Sequence, residues 1–173
     1  MSFSLKKLTF KILHAEGTPH SIGMGIGLGL FMSFLLPVGT QTFPALGIAF
    51  LIKANKALTF LFTWVSNPLT VIFIYPFQCY IGGWLVAHPL NIEELNGKFE
   101  TIVQADGFTN ACHAFLNLGG EIMRAFFAGG FALGIVSGVI GYFIGYKLVD
   151  SYRKRKEAKK LARAEHLDNT SQN

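Results

Sequence analysis

Two polar patches interrupt long apolar runs in this 173-residue chain, and they hold the residue types best suited to binding a ligand. The first patch lies inside the apolar run 22–52 and consists of Pro37, Gly39, Thr40, Gln41, Thr42 and Pro44. Proline removes a backbone donor and glycine permits positive φ, so this patch predicts a non-helical turn. We take Gly39, Thr40, Gln41 and Thr42 as candidate substrate-binding residues, and Pro37 and Pro44 as structural breaks.

The second patch lies inside the apolar run 57–87 and consists of Ser66, Asn67, Pro68 and Thr70. Ser66 or Asn67 can cap a half-helix that begins near Pro68, because proline suits the first helical turn. Free amides at such a half-helix N-terminus can hold an anionic or phosphate-bearing group. Ser66, Asn67 and Thr70 are therefore further candidate binding residues, and Pro68 is a third structural break.

Asn55 links the two apolar runs and is the last candidate binding residue. It lies between Lys53 and Lys56, whose ammonium groups either reach lipid head groups or attract an anionic substrate.

Two readings of the patches remain open. Pro-broken apolar segments are typical of transport sites, and a turn at membrane depth requires burial in protein or a wet cavity. A kinked structural helix, whose polar groups satisfy only their own broken turn, produces the same sequence.

The sequence gives little support to catalysis. The apolar runs contain no Asp or Glu, so paired carboxylates for acid–base chemistry or a proton relay are absent from them. The histidines and the two cysteines have no metal-ligand spacing. We therefore expect no enzyme activity, no metal and no cofactor.

Composition indicates a membrane protein. Half of the residues (51%) are hydrophobic and only 14% are charged, against about 25% in soluble domains. A chain of this size cannot bury so much apolar surface within itself. The expected fold class is an all-α integral membrane protein.

The lengths of the apolar runs predict the elements, since a membrane helix needs about 20 residues. Run 122–148 is a Gly-rich C-terminal span. Runs 21–52 and 57–87 are each too long for one straight span and too short for two, so we predict a re-entrant hairpin and a Pro-broken span. These elements, with an external loop over 88–121, form a membrane domain over 20–149. Residues 1–19 form a basic segment, either an interfacial helix or a simple tail, and 150–173 a basic helix and tail.

Charge distribution predicts the orientation. The net charge is +5, and basic residues follow the last apolar run directly. Cytoplasmic flanks carry excess Lys and Arg, so both termini are expected in the cytoplasm and 88–121 outside. We expect Arg153, Lys154, Arg155 and Lys156 to bind lipid or a partner protein, and no nucleic acid.

Several strings occur in the order typical of one bacterial family. They are Pro19-His20 with Gly23, the run from Gly27 to Phe31, Pro37 to Thr42, Lys53 to Lys56, Trp64 to Thr70, Tyr75-Pro76 and Gly82-Gly83. Over this stretch the chain resembles the uncharacterised membrane-protein family known as domain of unknown function number 2062. The resemblance implies a small bacterial inner-membrane protein, from a family whose domain sometimes accompanies glycosyltransferase-like regions. It implies no settled activity or substrate.

The sequence thus favours a protein that binds or transports a small or lipid-linked solute at the two broken helices. Because few apolar elements enclose little volume, we expect a homo-oligomer or a membrane partner. The alternative is a membrane scaffold, or a partner-binding subunit of an envelope assembly or envelope-biosynthesis enzyme.

Overall fold

The computed structural model describes residues 5–105 and 107–171, and within them the chain is helical without strands. The helices are α1 (Leu5–Leu13), α2 (Pro19–Leu35), α3 (Thr42–Leu51), α4 (Lys56–Thr63), α5 (Pro68–Leu85), α6 (Ile92–Gln104), α7 (Phe108–Leu116) and α8 (Gly120–Ser171). The prediction of an all-α fold is confirmed.

In the part of the chain that the structure describes, two helices are long and apolar enough to cross a membrane. They are α5 and the portion of α8 from Gly120 to Ala162. The other markedly apolar helices are shorter, with 17 residues in α2 and 10 in α3. By helical rise, α2 extends about 25 Å and α3 about 15 Å.

Side-chain caps and prolines define where the apolar helices begin. Thr18 caps α2 by accepting from the Ser21 amide at 3.1 Å, and Pro19 occupies the first turn. Asn67 caps α5, with Pro68 in the first turn. Both helices follow the preference for Ser, Thr, Asn or Asp before a helix and proline just inside it.

Helix α8 is the long element against which α2 and α5 pack, together with the short helix α1. Its middle lies against α2 in an antiparallel arrangement, since Gly27 meets Gly138 and Gly23 meets Tyr142. Its first turns lie antiparallel to α5, where Gly82 meets Ala125 and Gly129. Backbones touch at these points, because a Cβ atom on Gly27 would lie 2.7 Å from the Gly138 carbonyl oxygen. Small residues allow such close approach between membrane helices.

Helices α2 and α4 run parallel, with α3 returning between them. Gly25 lies against Asn55 and Gly29 against Phe62, so positions advance together along both helices. The return of α3 ends beside the start of α2, where the Ser21 hydroxyl donates to the Lys53 carbonyl at 2.9 Å. The α2–α3 hairpin therefore begins and ends at the same end of the bundle.

Residues 88–121 are not a loop, because they contain α6 and α7. The reason is an i, i+4 apolar pair, Leu95 and Phe99, which are both buried in one cluster with Tyr75 from the middle of α5. The acidic residues of α6 point outward, and Asn91 caps it by accepting from the Glu93 amide at 2.9 Å. The polar composition that indicated a loop is the solvent-facing side of an amphipathic helix.

The tip of the first hairpin is shorter than the predicted patch 37–44. The non-helical turn covers residues 36–41, with Gly39 at φ +94°. Thr42 and Pro44 belong to the first turn of α3, where proline costs no helical hydrogen bond.

The crossing of α5 and α8 provides a stability test. Gly129→Ala places a methyl group on the Gln78 backbone carbonyl, and we expect a loss of about 2 kcal/mol or more through overpacking. The matched control is Gly47→Ala in α3, where an added Cβ meets nothing within 4 Å. It should leave stability unchanged or raise it by up to about 1 kcal/mol through helix propensity. Unfolding in detergent measures both, and equal stability of the two variants would contradict the crossing.

Candidate functional site

The hairpin turn and the α4–α5 break lie side by side and share one buried hydrogen-bond network. Gln41 is 3% exposed, and its Nε2 donates to the carbonyls of Thr63 and, at 3.3 Å, Ser66. The Ser66 hydroxyl is shared between the Gln41 Oε1 at 3.0 Å and the Ser33 carbonyl at 2.7 Å. These bonds join the ends of α2, α3 and α4. The two predicted patches are thus brought together.

The Asn67 and Thr70 side chains are occupied by the break itself. The Asn67 Oδ1 accepts from the amides of Leu69 at 2.9 Å and Thr70 at 3.3 Å. The Thr70 hydroxyl accepts from the Asn67 amide at 2.9 Å and donates to the Val65 carbonyl at 2.8 Å. This reciprocal arrangement is a capping box. Both residues satisfy backbone groups that the break leaves free.

Hydrogen bonds also hold the hairpin turn, both within the turn and to α4 and α5. The Thr40 hydroxyl donates to the Pro37 carbonyl at 2.8 Å, and the Thr42 hydroxyl lies 3.5 Å from that of Thr63. The Val38 amide donates to the Tyr75 hydroxyl at 2.7 Å, which ties the turn to α5.

Asn55 is not part of this network. It caps α4 by accepting from the Leu58 amide at 2.9 Å, and its Nδ2 donates to the Glu16 carbonyl at 2.7 Å. It therefore lies at the opposite end of α4, which is about 12 Å long by helical rise.

The two patches frame one wall of an apolar pocket of about 520 Å³. The turn contributes Pro37, Val38 and Thr40, and the start of α5 contributes Pro68, Val71 and Tyr75. The opposite wall comes from α6, α7 and α8, through Ile102, Val103, Ala105, Gly107, Phe115, Leu116, Met123 and Phe127. Gln41, Ser66, Asn67 and Thr70 do not line it.

The pocket is suited to an apolar ligand. Of its few polar side chains, Thr40 bonds Pro37 and Tyr75 bonds Val38. Leu116 is 64% exposed and Phe127 39% exposed, so they form the rim. Among the residues that the structure describes, no group of His, Cys, Asp or Glu is placed to hold a metal ion. The arrangement offers shape and apolar surface, and no acid–base pair.

Gln78 is the largest of the buried polar residues that the sequence patterns did not single out; the others are Ser33, Thr59 and Thr63. It is fully buried, and its Nε2 donates to the carbonyls of Phe34 and Phe126, both at 2.9 Å. One amide therefore joins α2, α5 and α8. Its Oε1 has no hydrogen-bond partner among the described residues. The available signal was an isolated amide side chain in the apolar stretch that follows Thr70.

The predicted basic binding segment divides into two parts. The Arg153 guanidinium donates to the Ala15 carbonyl at 3.1 Å, so this side chain anchors the α1–α2 loop. Lys154 pairs with Asp150 at 2.9 Å, one helical turn earlier. Arg155 and Lys156 are exposed on the continuing helix α8.

The network makes Gln41 a stability residue. In Gln41→Ala, the Thr63 and Ser66 groups lose their buried partner, and we expect stability to fall by about 1–3 kcal/mol. Gln104→Ala, which removes an exposed glutamine of α6, is the control and should have little effect. Unfolding in detergent distinguishes them. A Gln41→Ala variant with wild-type stability would show that the network does not hold the break.

In the comparisons with known proteins, one family model matches nearly the whole chain. The family model described as "Uncharacterized protein conserved in bacteria (DUF2062)" matches residues 4–158. No match is found among curated proteins or among solved structures. The matched region contains the hairpin, the break, the pocket and the helix α8 as far as its basic segment. The chain therefore belongs to the bacterial family DUF2062.

Proposed function

We propose that this protein binds the apolar part of a lipid or lipid-linked molecule in the pocket between its two Pro-broken segments, within the bacterial inner membrane. The observation that carries the proposal is the apolar pocket itself. Its volume of about 520 Å³ falls within the roughly 300–1,000 Å³ of small-molecule sites. Its exposed rim residues, Leu116 and Phe127, provide an entrance for a chain.

The membrane placement follows from charge and length. In α8 the exposed apolar residues run from Phe127 to Tyr146, between Arg124 and Lys147. By the positive-inside rule, the Lys147 end faces the cytoplasm and α6 and α7 lie outside. The pocket then lies in the outer half of the bilayer. The α2–α3 hairpin enters from the cytoplasmic side and returns to it, as a re-entrant element.

The polar residues of the patches have a supporting role in this proposal. Irregular backbone within a membrane needs internal partners, and Gln41, Ser66, Asn67 and Thr70 supply them. They shape the apolar wall without contacting the ligand. Movement of a solute across the bilayer would be a further step, and it would require the Gln41–Ser66 bonds to open.

A scaffold role is the second candidate, and the continuity of α8 favours it. The helix extends without a break from Gly120 to Ser171, well past the last apolar residues of the bundle. Arg155, Lys156, Lys159 and Lys160 are exposed along this extension, which suits docking on anionic lipid or on a membrane partner. Replacing these four residues by Gln leaves the Arg153 anchor and the pocket intact, and so separates this role from ligand binding.

Filling the pocket should abolish ligand binding. Met123→Trp adds bulk on the α8 wall, whereas Ile140→Trp makes a similar change on an exposed face of the same helix. The probe is a photoreactive fatty acid, with its cross-links on the detergent-solubilised protein mapped by mass spectrometry. We expect cross-links at pocket residues such as Val71 and Phe127, at least tenfold fewer in Met123→Trp, and unchanged in Ile140→Trp.

Cross-links spread evenly over the exposed apolar face of α8, or unaffected by Met123→Trp, would contradict the proposed site.

The proposed orientation is testable in intact cells. With Cys79 and Cys112 replaced, Gly97→Cys places a thiol on an exposed, open position of α6. Lys160→Cys places one on the exposed extension of α8. A membrane-impermeant maleimide should label Gly97→Cys directly and Lys160→Cys only after permeabilisation. Direct labelling of Lys160→Cys alone would show the opposite orientation, and direct labelling of both positions would contradict a crossing of the membrane by α8 between them.

A further inference from the structure

We propose a second binding site, for an anionic phospholipid of the cytoplasmic leaflet, in the cavity between α1, the α1–α2 loop and α4. This cavity has a volume of about 740 Å³ and lies at the opposite end of α4 from the apolar pocket. Two lysines, Lys11 and Lys56, line it together with Ser21 and Asn55. It is therefore polar at its mouth, unlike the apolar pocket.

The cavity has a fixed frame. The α1–α2 loop is bonded to α4 through Asn55 Nδ2 and the Glu16 carbonyl at 2.7 Å, and to α8 through Arg153 and the Ala15 carbonyl at 3.1 Å. The backbone amide of Asn55 also donates to the Ser21 carbonyl at 2.9 Å. Side chains of α4 and α8 thus hold the loop that forms the cavity edge, and the third bond joins the start of α4 to α2.

The charges at the mouth favour an anion. Lys11 and Lys56 are exposed, and neither forms an ion pair with a carboxylate among the described side chains. The Lys56 ammonium lies 4.6 Å from the centre of the Phe50 ring of α3. Glu16 is the one carboxylate that lines the described cavity. Two cations against one anion leave a net positive mouth.

The inner wall of the cavity is apolar, which favours a lipid over a free anion as the ligand. Leu58, Phe60 and Leu61 of α4 line it, and Phe60 is 46% exposed. Inorganic phosphate would contact only the lysines, whereas a phospholipid places its phosphate at the lysines and its acyl chain along this wall. The membrane placement proposed above puts this end of α4 at the cytoplasmic surface, where anionic lipids attract basic residues. The site depends on that placement and not on the apolar pocket.

The test is a titration of the full chain in neutral detergent with short-chain phosphatidylglycerol, followed by its thermal unfolding midpoint. The parallel ligands are phosphatidylcholine of the same chain length and inorganic phosphate. The test variant is Lys11→Gln with Lys56→Gln. The control is Lys159→Gln with Lys160→Gln, which removes the same charge from the exposed extension of α8. Every protein compared, including the reference, also carries Met123→Trp, which fills the apolar pocket so that an acyl chain bound there does not contribute to the midpoint.

With the apolar pocket filled by Met123→Trp, we expect a saturable rise in midpoint with phosphatidylglycerol and little response to the other two ligands. Affinity should weaken about thirtyfold in the Lys11/Lys56 variant, because each lysine near an anionic head group contributes about 1 kcal/mol. The control pair should bind phosphatidylglycerol as the Met123→Trp reference does, and because the apolar pocket is filled in every protein compared, the outcome does not depend on ligand binding there. Equal weakening in the control pair, unchanged affinity in the Lys11/Lys56 variant, or an equal response to inorganic phosphate would each overturn the proposal.

Discussion

The backbone contact between α5 and α8 at Gly82 and Gly129 is the constraint on which the other elements depend. A side chain at either position would overlap the carbonyl of Ala125 or Gln78. Because α5 and α8 touch here, the Gln78 side-chain amide donates to the Phe34 carbonyl of α2 and to the Phe126 carbonyl of α8. These two bonds hold α2 beside the crossing of α5 and α8. Van der Waals packing and interhelical hydrogen bonds are what associates helices in lipid, where water provides no driving force. A wider crossing would leave Gln78 buried without acceptors.

With α2 and α5 fixed on α8, the irregular segments between them can only meet in one place. The turn after α2 and the break before α5 are joined there by Gln41 and Ser66, whose donors and acceptors are used within the protein. Because these polar groups bond to one another, they do not line the adjoining space, whose walls are apolar side chains. The pocket beside the two breaks is apolar, which is why we propose a lipid chain as its ligand.

The sequence predicts the helical class, the interruptions near Pro37 and Pro68 and the cap of α5, because each follows from local chemistry. It does not predict that Gln41 bonds Thr63 and Ser66 while Asn55 lies at the other end of α4, since that depends on how the helices pack. Helices α6 and α7 were not predicted, because the polar residues of 88–121 indicated a loop. Leu95 and Phe99 nevertheless have the i, i+4 spacing of a buried helix face. Gln78 is one polar residue in an apolar run, and its role in joining helices is recognisable only from the packing of α2, α5 and α8.

Native mass spectrometry of the protein released gently from bacterial membranes tests the central claim, that the pocket holds the apolar chain of a lipid-like molecule. The account predicts a retained adduct in the mass range of a lipid or lipid-linked molecule, at one copy per chain. That adduct should survive detergent exchange, because the pocket walls bury the chain, and its removal should lower the unfolding midpoint. A protein that carries no adduct, or only a distribution of loosely bound lipids lost on detergent exchange, would contradict the account.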